Sequence, residues 1–205
     1  MKKKSRWTIY AVLIAILLTS GGLFYFNHQK SENEQASLPY TDVIEFSSST
    51  WLFDTPKELD EVVDLVIVGS AVTDFSERDH QITTYEGGEI QDFYTKTKVR
   101  IDRILKKPTD FAEDQTEMTI LEPVSIENGQ KLTRDNYIEL QKDDQSIIFL
   151  KKNSFGDYFL VNRNRGKISL LDEDPQLSIQ TFEESELSEY EKFRNEALDF
   201  YKLSN

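Results

Sequence analysis

The sequence contains no cysteine among its 205 residues. This absence excludes disulfide bonds, thiolate zinc sites, iron–sulfur clusters, a cysteine nucleophile and lipid attachment to cysteine. Histidine is scarce as well: His28 and His80 are the only two, and neither lies in an H-E-x-x-H or H-x₃-H spacing. We therefore expect both histidines to be solvated surface residues, and we predict neither a metal nor another cofactor.

Motifs of common catalytic sites are missing too. The chain has no G-x-S-x-G elbow, no P-loop and no G-x-G-x-x-G. Four acidic residues lie close enough together to form carboxylate pairs for acid–base catalysis, namely Glu58, Asp60, Glu61 and Asp64. Acidic residues number 37 in this chain, so such groups arise by chance and a solvated face is the expected interpretation. We predict that the chain is not an enzyme.

Basic charge is scarce and unevenly distributed. Lysine and arginine number 24 against 37 aspartates and glutamates, which gives a net charge of -13. The first 30 residues hold five basic residues and no acidic one, so the remainder of the chain carries -18. Binding to phosphate groups depends on positive potential. The charge therefore excludes nucleic acid as a partner of the acidic body.

The longest run without charge covers residues 7–26. At 1.5 Å per residue a helix of this length spans roughly 30 Å, the thickness of a bilayer core. Aromatic residues stand at both ends, and a lysine cluster precedes the run, which favours a cytoplasmic N-terminus. We predict a single-pass anchor in the cell membrane, with the C-terminal domain extracytoplasmic. The alternative is a signal peptide with residues 9–18 as its apolar region, whose cleavage would release a secreted domain.

The segment after the anchor divides into a tether, a β region and a helix. Residues 27–54 are polar and are predicted to form a tether. Thr55, Pro56 and Glu58 are typical of a helix start. About six short strands with hairpin-like spacing follow, and they predict a small β-barrel or a sandwich within residues 55–175. These strands cover residues 65–75, 93–102, 116–122, 147–151, 158–161 and 167–171.

The C-terminal region, residues 176–205, is predicted to contain an amphipathic helix over 183–203. Its apolar residues recur at i, i+3 and i+4 spacing. We expect this stripe to pack on the barrel; binding of a partner by the helix is the alternative.

The order of the strand signals permits a family resemblance to be stated. The signals are the run 64–69, the alternating run 94–99 and the pair 148–152 with 158–161. Over residues 56–171 the chain resembles an extracytoplasmic module of Bacillus-type, Gram-positive bacteria. Its layout is also similar to the OB-like netrin domain of the tissue inhibitors of metalloproteinases. The resemblance implies a five-stranded OB-like barrel. It carries over no active site, because those inhibitors bind the target's zinc through an N-terminal cysteine and this sequence contains no cysteine.

One strand carries the candidate binding residues. Tyr94, Lys96, Lys98 and Arg100 alternate with apolar positions and should share one face. We expect the basic side chains to pair with carboxylates on neighbouring strands; as a functional hypothesis, this stripe docks an acidic protein partner.

Together these features predict a membrane-anchored, non-catalytic binding module. Residues 1–6 would be a cytoplasmic tip, and residues 7–26 would contact the lipid bilayer. The alternatives are a membrane-tethered hydrolase that uses carboxylates and an accessory subunit of a membrane complex.

Overall fold

The computed structural model describes residues 40–48, 52–171 and 184–203. Within that part of the chain, no helix is both long enough and apolar enough to cross a membrane. Several predicted features lie outside the described residues, namely the cytoplasmic tip at 1–6, the anchor at 7–26, His28 and most of the tether.

The fold is mainly β, with ten strands and two α-helices among the described residues. The strands are β1 (Asp42–Phe46), β2 (Leu65–Ala71), β3 (Asp79–Thr84), β4 (Ile90–Lys106), β5 (Glu117–Glu122), β6 (Val124–Glu127), β7 (Gln130–Arg134), β8 (Ser146–Lys152), β9 (Tyr158–Leu160) and β10 (Lys167–Ser169). The helices are α1 (Pro56–Val62) and α2 (Glu184–Phe200).

Five of the strands close into a barrel. Going round it, β2 pairs with β4, β4 with β5, β5 with β9, β9 with β8, and β8 with β2 again. The β5–β9 pairing is parallel and the other four are antiparallel. The predicted barrel is therefore confirmed, and the sandwich is excluded because the pairing closes on itself.

The remaining strands extend this framework. β10 continues the barrel sheet beside β8, and β3 pairs with β4. A separate three-stranded sheet has the order β1-β7-β6, with β1 parallel to β7. Sequence reasoning missed this sheet. The buried faces of β6 and β7 include Ser125, Lys131 and Thr133, so polar residues hide the alternation, and β1 lies inside the segment predicted as a tether.

A tight turn joins β3 and β4 into a hairpin. The turn 85–89 is closed by the Tyr85 N–H, which donates to the Glu89 carbonyl at 2.9 Å. Gly88 has a φ of 89°, a conformation that side chains disfavour, which explains the glycine at this turn. β4 then runs to Lys106, so it is longer than the predicted strand at 93–102, and it stops before Pro108.

Gly69 marks an irregularity in β2. The register between β2 and β4 shifts between Val68 and Gly69. A Cβ atom at Gly69 would lie 2.3 Å from the Arg100 carbonyl oxygen. Only glycine permits the two strands to approach this closely.

Two apolar clusters stabilise the molecule. The first fills the barrel; its fully buried members include Leu65, Ile67, Val99, Ile120, Ile148 and Leu150. The second lies on the outer side of β2, β8 and β10 and includes Val66, Ile147, Phe149 and Ile168, which pack against residues of both helices. Burial of such side chains contributes about 1.5–3 kcal/mol each. The helices thus cover one side of the barrel.

Both helices follow their sequence signals. At α1, Thr55 accepts from the Glu58 N–H and the Glu58 carboxylate accepts from the Thr55 N–H, which is the predicted capping box. α2 packs on the barrel as predicted: Phe193 and Ala197 are buried, and the Phe193 ring lies 6.4 Å from that of Phe149. The predicted bounds of 183–203 differ from the observed ones by one to three residues, as fraying ends usually do.

Candidate functional site

The outer surface of β4, β5 and β9 carries the residues that the sequence singled out. Phe93, Thr95, Thr97 and Val99 point into the protein and are buried. Between them, Tyr94 is half-buried, and Lys96, Lys98 and Arg100 are exposed. The structure thus brings the four candidate residues together on one face, because successive side chains of a strand alternate in direction.

The basic residues of this face are held in ion pairs. Lys96 Nζ lies 3.6 Å from Asp79 Oδ2 on β3, and Lys98 Nζ lies 2.5 Å from Glu117 Oε2 on β5. The contacts agree with the expectation that carboxylates of neighbouring strands pair with the stripe. Both pairs are solvated, so each contributes about 0–1 kcal/mol to folding stability. Their acidic members leave the face close to electroneutral.

Arg100 is the most constrained of the three bases. Its Nε donates to Asp102 at 3.1 Å, its Nη1 lies 3.5 Å from Asp143, and its Nη2 donates to Ser70 at 2.9 Å. The hydrogen bond to Asp102 is the main cause that raises the pKa of Arg100 above its usual value. Arg100 is therefore fixed at one end of the face as a permanent cation.

Two apolar residues complete this surface, and sequence reasoning missed both. In the barrel register Lys96 lies beside Leu121, Leu121 beside Phe159, and Phe159 beside Lys151. Leu121 and Phe159 are half-buried. The alternation within β5 was a usable signal for Leu121, whereas its neighbour Phe159 depends on the parallel β5–β9 pairing. We call Tyr94, Lys96, Lys98, Arg100, Leu121 and Phe159 the strand face.

Beneath this face lies a buried polar network centred on Glu122. Its carboxylate accepts from Arg78 Nη1 at 3.0 Å, from the Tyr137 hydroxyl at 2.7 Å and from the Leu140 N–H at 2.7 Å, and also from the Thr97 hydroxyl. Burial, together with the Glu122 charge, raises the pKa of Tyr137 well above its usual value. Arg78 also donates to two backbone carbonyls. Both charges are thereby satisfied without water.

A second buried pair joins Lys131 and Glu139, whose Nζ and Oε2 atoms lie 2.5 Å apart. Burial raises the pKa of Glu139, but the charge and hydrogen bond of Lys131, together with a backbone hydrogen bond and the charge of Lys167, outweigh it, so the net pKa is lowered. The Lys131 ammonium also lies 5.2 Å from the centre of the Tyr40 ring. These groups tie the three-stranded sheet to the segment before β8.

The acidic residues considered for catalysis serve structural contacts. Glu58 belongs to the α1 capping box, and Asp64 accepts from the Lys152 N–H at 2.8 Å. Asp60 lies 3.5 Å from Lys106 and accepts from the Tyr201 hydroxyl at 2.6 Å. Burial and this hydrogen bond raise the pKa of Tyr201 above its usual value. The fourth candidate, Glu61, is exposed.

His80 is not the solvated surface residue that the sequence led us to expect. Its ring is half-buried and lies against the Phe75 ring, with centroids 4.9 Å apart. Its nitrogens contact the Phe75 carbonyl, the Thr95 hydroxyl and the Ile126 N–H. The prediction failed because it was based on the polar residues next to His80 in the sequence, whereas the ring is covered through contacts that include the distant residue Ile126.

Two clefts open elsewhere on the surface. One of about 370 Å³ lies between α2 and the segments 135–136 and 162–165. Its arginines are paired: Arg163 with Asp135 at 3.1 Å, and Arg165 with Glu189 at 3.0 Å. The other, of about 330 Å³, lies beside the β8–β9 turn. Across the described part of the chain, no group of three or more His, Asp or Glu residues is arranged to hold a metal ion.

Comparison of the chain with models of known protein families and with curated proteins found no match in either case.

Proposed function

We propose that the chain is a membrane-anchored, extracytoplasmic, OB-like binding module that acts without catalysis and contacts a protein partner through the strand face. The partner would be acidic where it meets the lysines. The anchor would be the uncharged run at residues 7–26, which also sets the direction of insertion through the lysines before it.

The strand order supports the OB-like assignment. The sequence β2-β4-β5-β9-β8 round the barrel contains five strands, with a single parallel pairing between β5 and β9. OB folds are five-stranded Greek-key barrels that bind their ligands on one strand face. The netrin-like and Bacillus-type resemblance remains part of the proposal.

The composition of the strand face carries the proposal. Tyr94, Leu121 and Phe159 are half-buried on this face, with Leu121 beside Phe159, while the opposite side of the barrel packs against α1 and α2. Interface cores are enriched in aromatic side chains and bordered by polar groups. The bordering Lys96 and Lys98 would exchange their solvated partners Asp79 and Glu117 for carboxylates of the bound protein. Such an exchange determines orientation and association rate more than affinity.

The buried ionisable groups support a non-catalytic role. Glu122 and Glu139 each have a cationic partner and lie within packed protein. A general acid or base needs access to a substrate within hydrogen-bond distance. These carboxylates instead join strands to one another.

The test is affinity capture from the native envelope with the full-length chain as bait. A variant with Lys96, Lys98 and Arg100 changed to Ser should lose at least about tenfold of the captured partner, the effect of 1.4 kcal/mol. The matched control changes three exposed lysines elsewhere, Lys57, Lys107 and Lys192, to Ser, which removes the same charge. Equal capture by both variants, with equal thermal stability, would refute the strand face as the binding site.

A further inference from the structure

His80 forms a bridge between two strands that do not pair through their backbones. Its Nε2 lies 3.0 Å from the Phe75 carbonyl oxygen, and its Nδ1 lies 3.2 Å from the Ile126 nitrogen. A carbonyl can only accept and a backbone N–H can only donate. These two contacts assign the neutral ring as the tautomer that carries its proton on Nε2.

The bridge joins the two sheets of the protein. His80 lies on β3, which belongs to the barrel sheet, whereas Ile126 lies on β6, which belongs to the three-stranded sheet. The His80 ring thus supplies an acceptor that a neighbouring strand would otherwise provide. An N–H that is shielded from water and left without an acceptor is destabilising.

Thr95 gives the ring a second partner. The Thr95 hydroxyl donates to the Val124 carbonyl at 2.6 Å, and its oxygen lies 2.9 Å from His80 Nδ1. A proton added to Nδ1 therefore has an acceptor in the Thr95 oxygen. The same proton faces the Ile126 N–H, which loses its acceptor.

We propose that His80 is an acid-sensitive contact that holds β6 against the barrel sheet while its ring is neutral and releases the Ile126 N–H when the ring is protonated. Protonation exchanges the Ile126–His80 hydrogen bond for a His80–Thr95 bond. The three-stranded sheet then loses one of its attachments to the barrel.

The charged groups around the ring act in both directions. Arg78 disfavours a second positive charge, and the Lys131 ammonium lies over the Phe75 ring that His80 contacts. Asp79 and Glu122 favour the charge, but they are paired with Lys96 and Arg78 respectively. Burial is the largest influence, and it lowers the pKa of His80 from its usual 6.5.

The sign of the pH effect follows from this shift. Below pH 6.5 the unfolded chain binds a proton at His80 before the folded chain does. The free energy of unfolding therefore falls as the pH falls below 6.5, and it levels off below the pKa of the folded protein.

The experiment is amide hydrogen exchange on the full-length chain in detergent at pH 7.5 and pH 5.5, corrected for the intrinsic rate. We expect the protection of the Ile126 amide to fall about fivefold or more on acidification, as expected for loss of about 1 kcal/mol. In His80→Gln this pH effect should disappear. As the control, the protection of the Ile120 amide within the barrel ladder should be the same in the two proteins at each pH. The same pH effect at Ile126 in His80→Gln would overturn the proposal.

A second measurement on the unmodified chain keeps the test decisive if His80→Gln does not fold. The ¹⁵N shifts of the His80 ring should report the Nε2-protonated tautomer at pH 7.5, and the Ile126 amide signal should change at the same midpoint as the ring. A ring that carries its proton on Nδ1, or one that titrates without any change at Ile126, would overturn the proposal.

Discussion

At the scale of single residues, the buried carboxylate of Glu122 joins several distant segments of the chain. It accepts hydrogen bonds from β4, from the segment before β3 and from the segment 137–140. A fully satisfied network of this kind specifies one arrangement of its strands, since each alternative leaves a charge buried and unpaired.

Glu122→Gln should destabilise the protein strongly, because the Arg78 cation then remains buried without its counter-charge. We expect a loss of about 3–5 kcal/mol in the free energy of unfolding measured in urea. Tyr137→Phe removes one hydrogen bond from the same carboxylate and should cost about 1–2 kcal/mol. The control Glu117→Gln, at an exposed pair, should change stability by less than about 1 kcal/mol. A loss for Glu122→Gln no larger than that of the control would contradict this account of the network.

At the scale of elements, the close approach of β2 to β4 depends on Gly69. Gly69→Ala places a Cβ atom against the Arg100 carbonyl and should cost about 1–3 kcal/mol, as overpacking does. Gly87→Ala is the matched control, because its new Cβ meets only the flexible Glu89 side chain. In thermal unfolding, Gly69→Ala should have the lower melting temperature of the two variants. Equal melting temperatures would show that β2 and β4 can move apart without an energetic cost.

The attachment of α2 to the barrel gives a further prediction. Phe193→Ala removes a buried ring that contacts Phe149 and should destabilise by about 3–5 kcal/mol. Phe200→Ala, at an exposed position of the same helix, should change the free energy of unfolding by only about 0.5 kcal/mol, as surface substitutions usually do. Urea unfolding measures both, and similar losses would mean that α2 is not held by its apolar stripe.

Local sequence signals predicted the elements whose pattern is complete within a few residues. The alternation along β4 and the capping box at Thr55 each depend on neighbours in sequence. The three-stranded sheet was missed because its strand β7 contains the buried residue Lys131, which pairs with Glu139. A lysine in a sequence is expected to be exposed, since lysines are rarely buried unless they are paired.

The candidate site was predicted in part for the same reason. Tyr94, Lys96, Lys98 and Arg100 share a strand, so alternation places them together. Phe159 joins them through its parallel pairing with Leu121, from which it is separated by 37 residues in the sequence. No local sequence pattern indicates such a pairing. The hydrogen bond between the Ile126 N–H and His80 Nδ1 likewise connects residues 46 positions apart.

At the scale of the whole molecule, the proposed protein combines an anchored N-terminus, an acidic body and a strand face. The body charge of -18 would favour solubility and would disfavour phosphate-rich partners. A protein partner would have to place its own acidic groups at the few solvated bases of the strand face. The local attraction between these groups should weaken as ionic strength rises, while the apolar contacts at Leu121 and Phe159 remain.

The most direct test uses the absence of cysteine. Lys98→Cys on the strand face and Lys57→Cys on α1 each introduce a single thiol, which is treated in intact cells with a membrane-impermeant maleimide that carries a photoreactive group. We predict that both variants are labelled from outside and that only the Lys98 variant forms a crosslink to a partner protein on illumination. Failure of both to label would contradict the extracytoplasmic location, and equal crosslinking from the two positions would contradict the strand face.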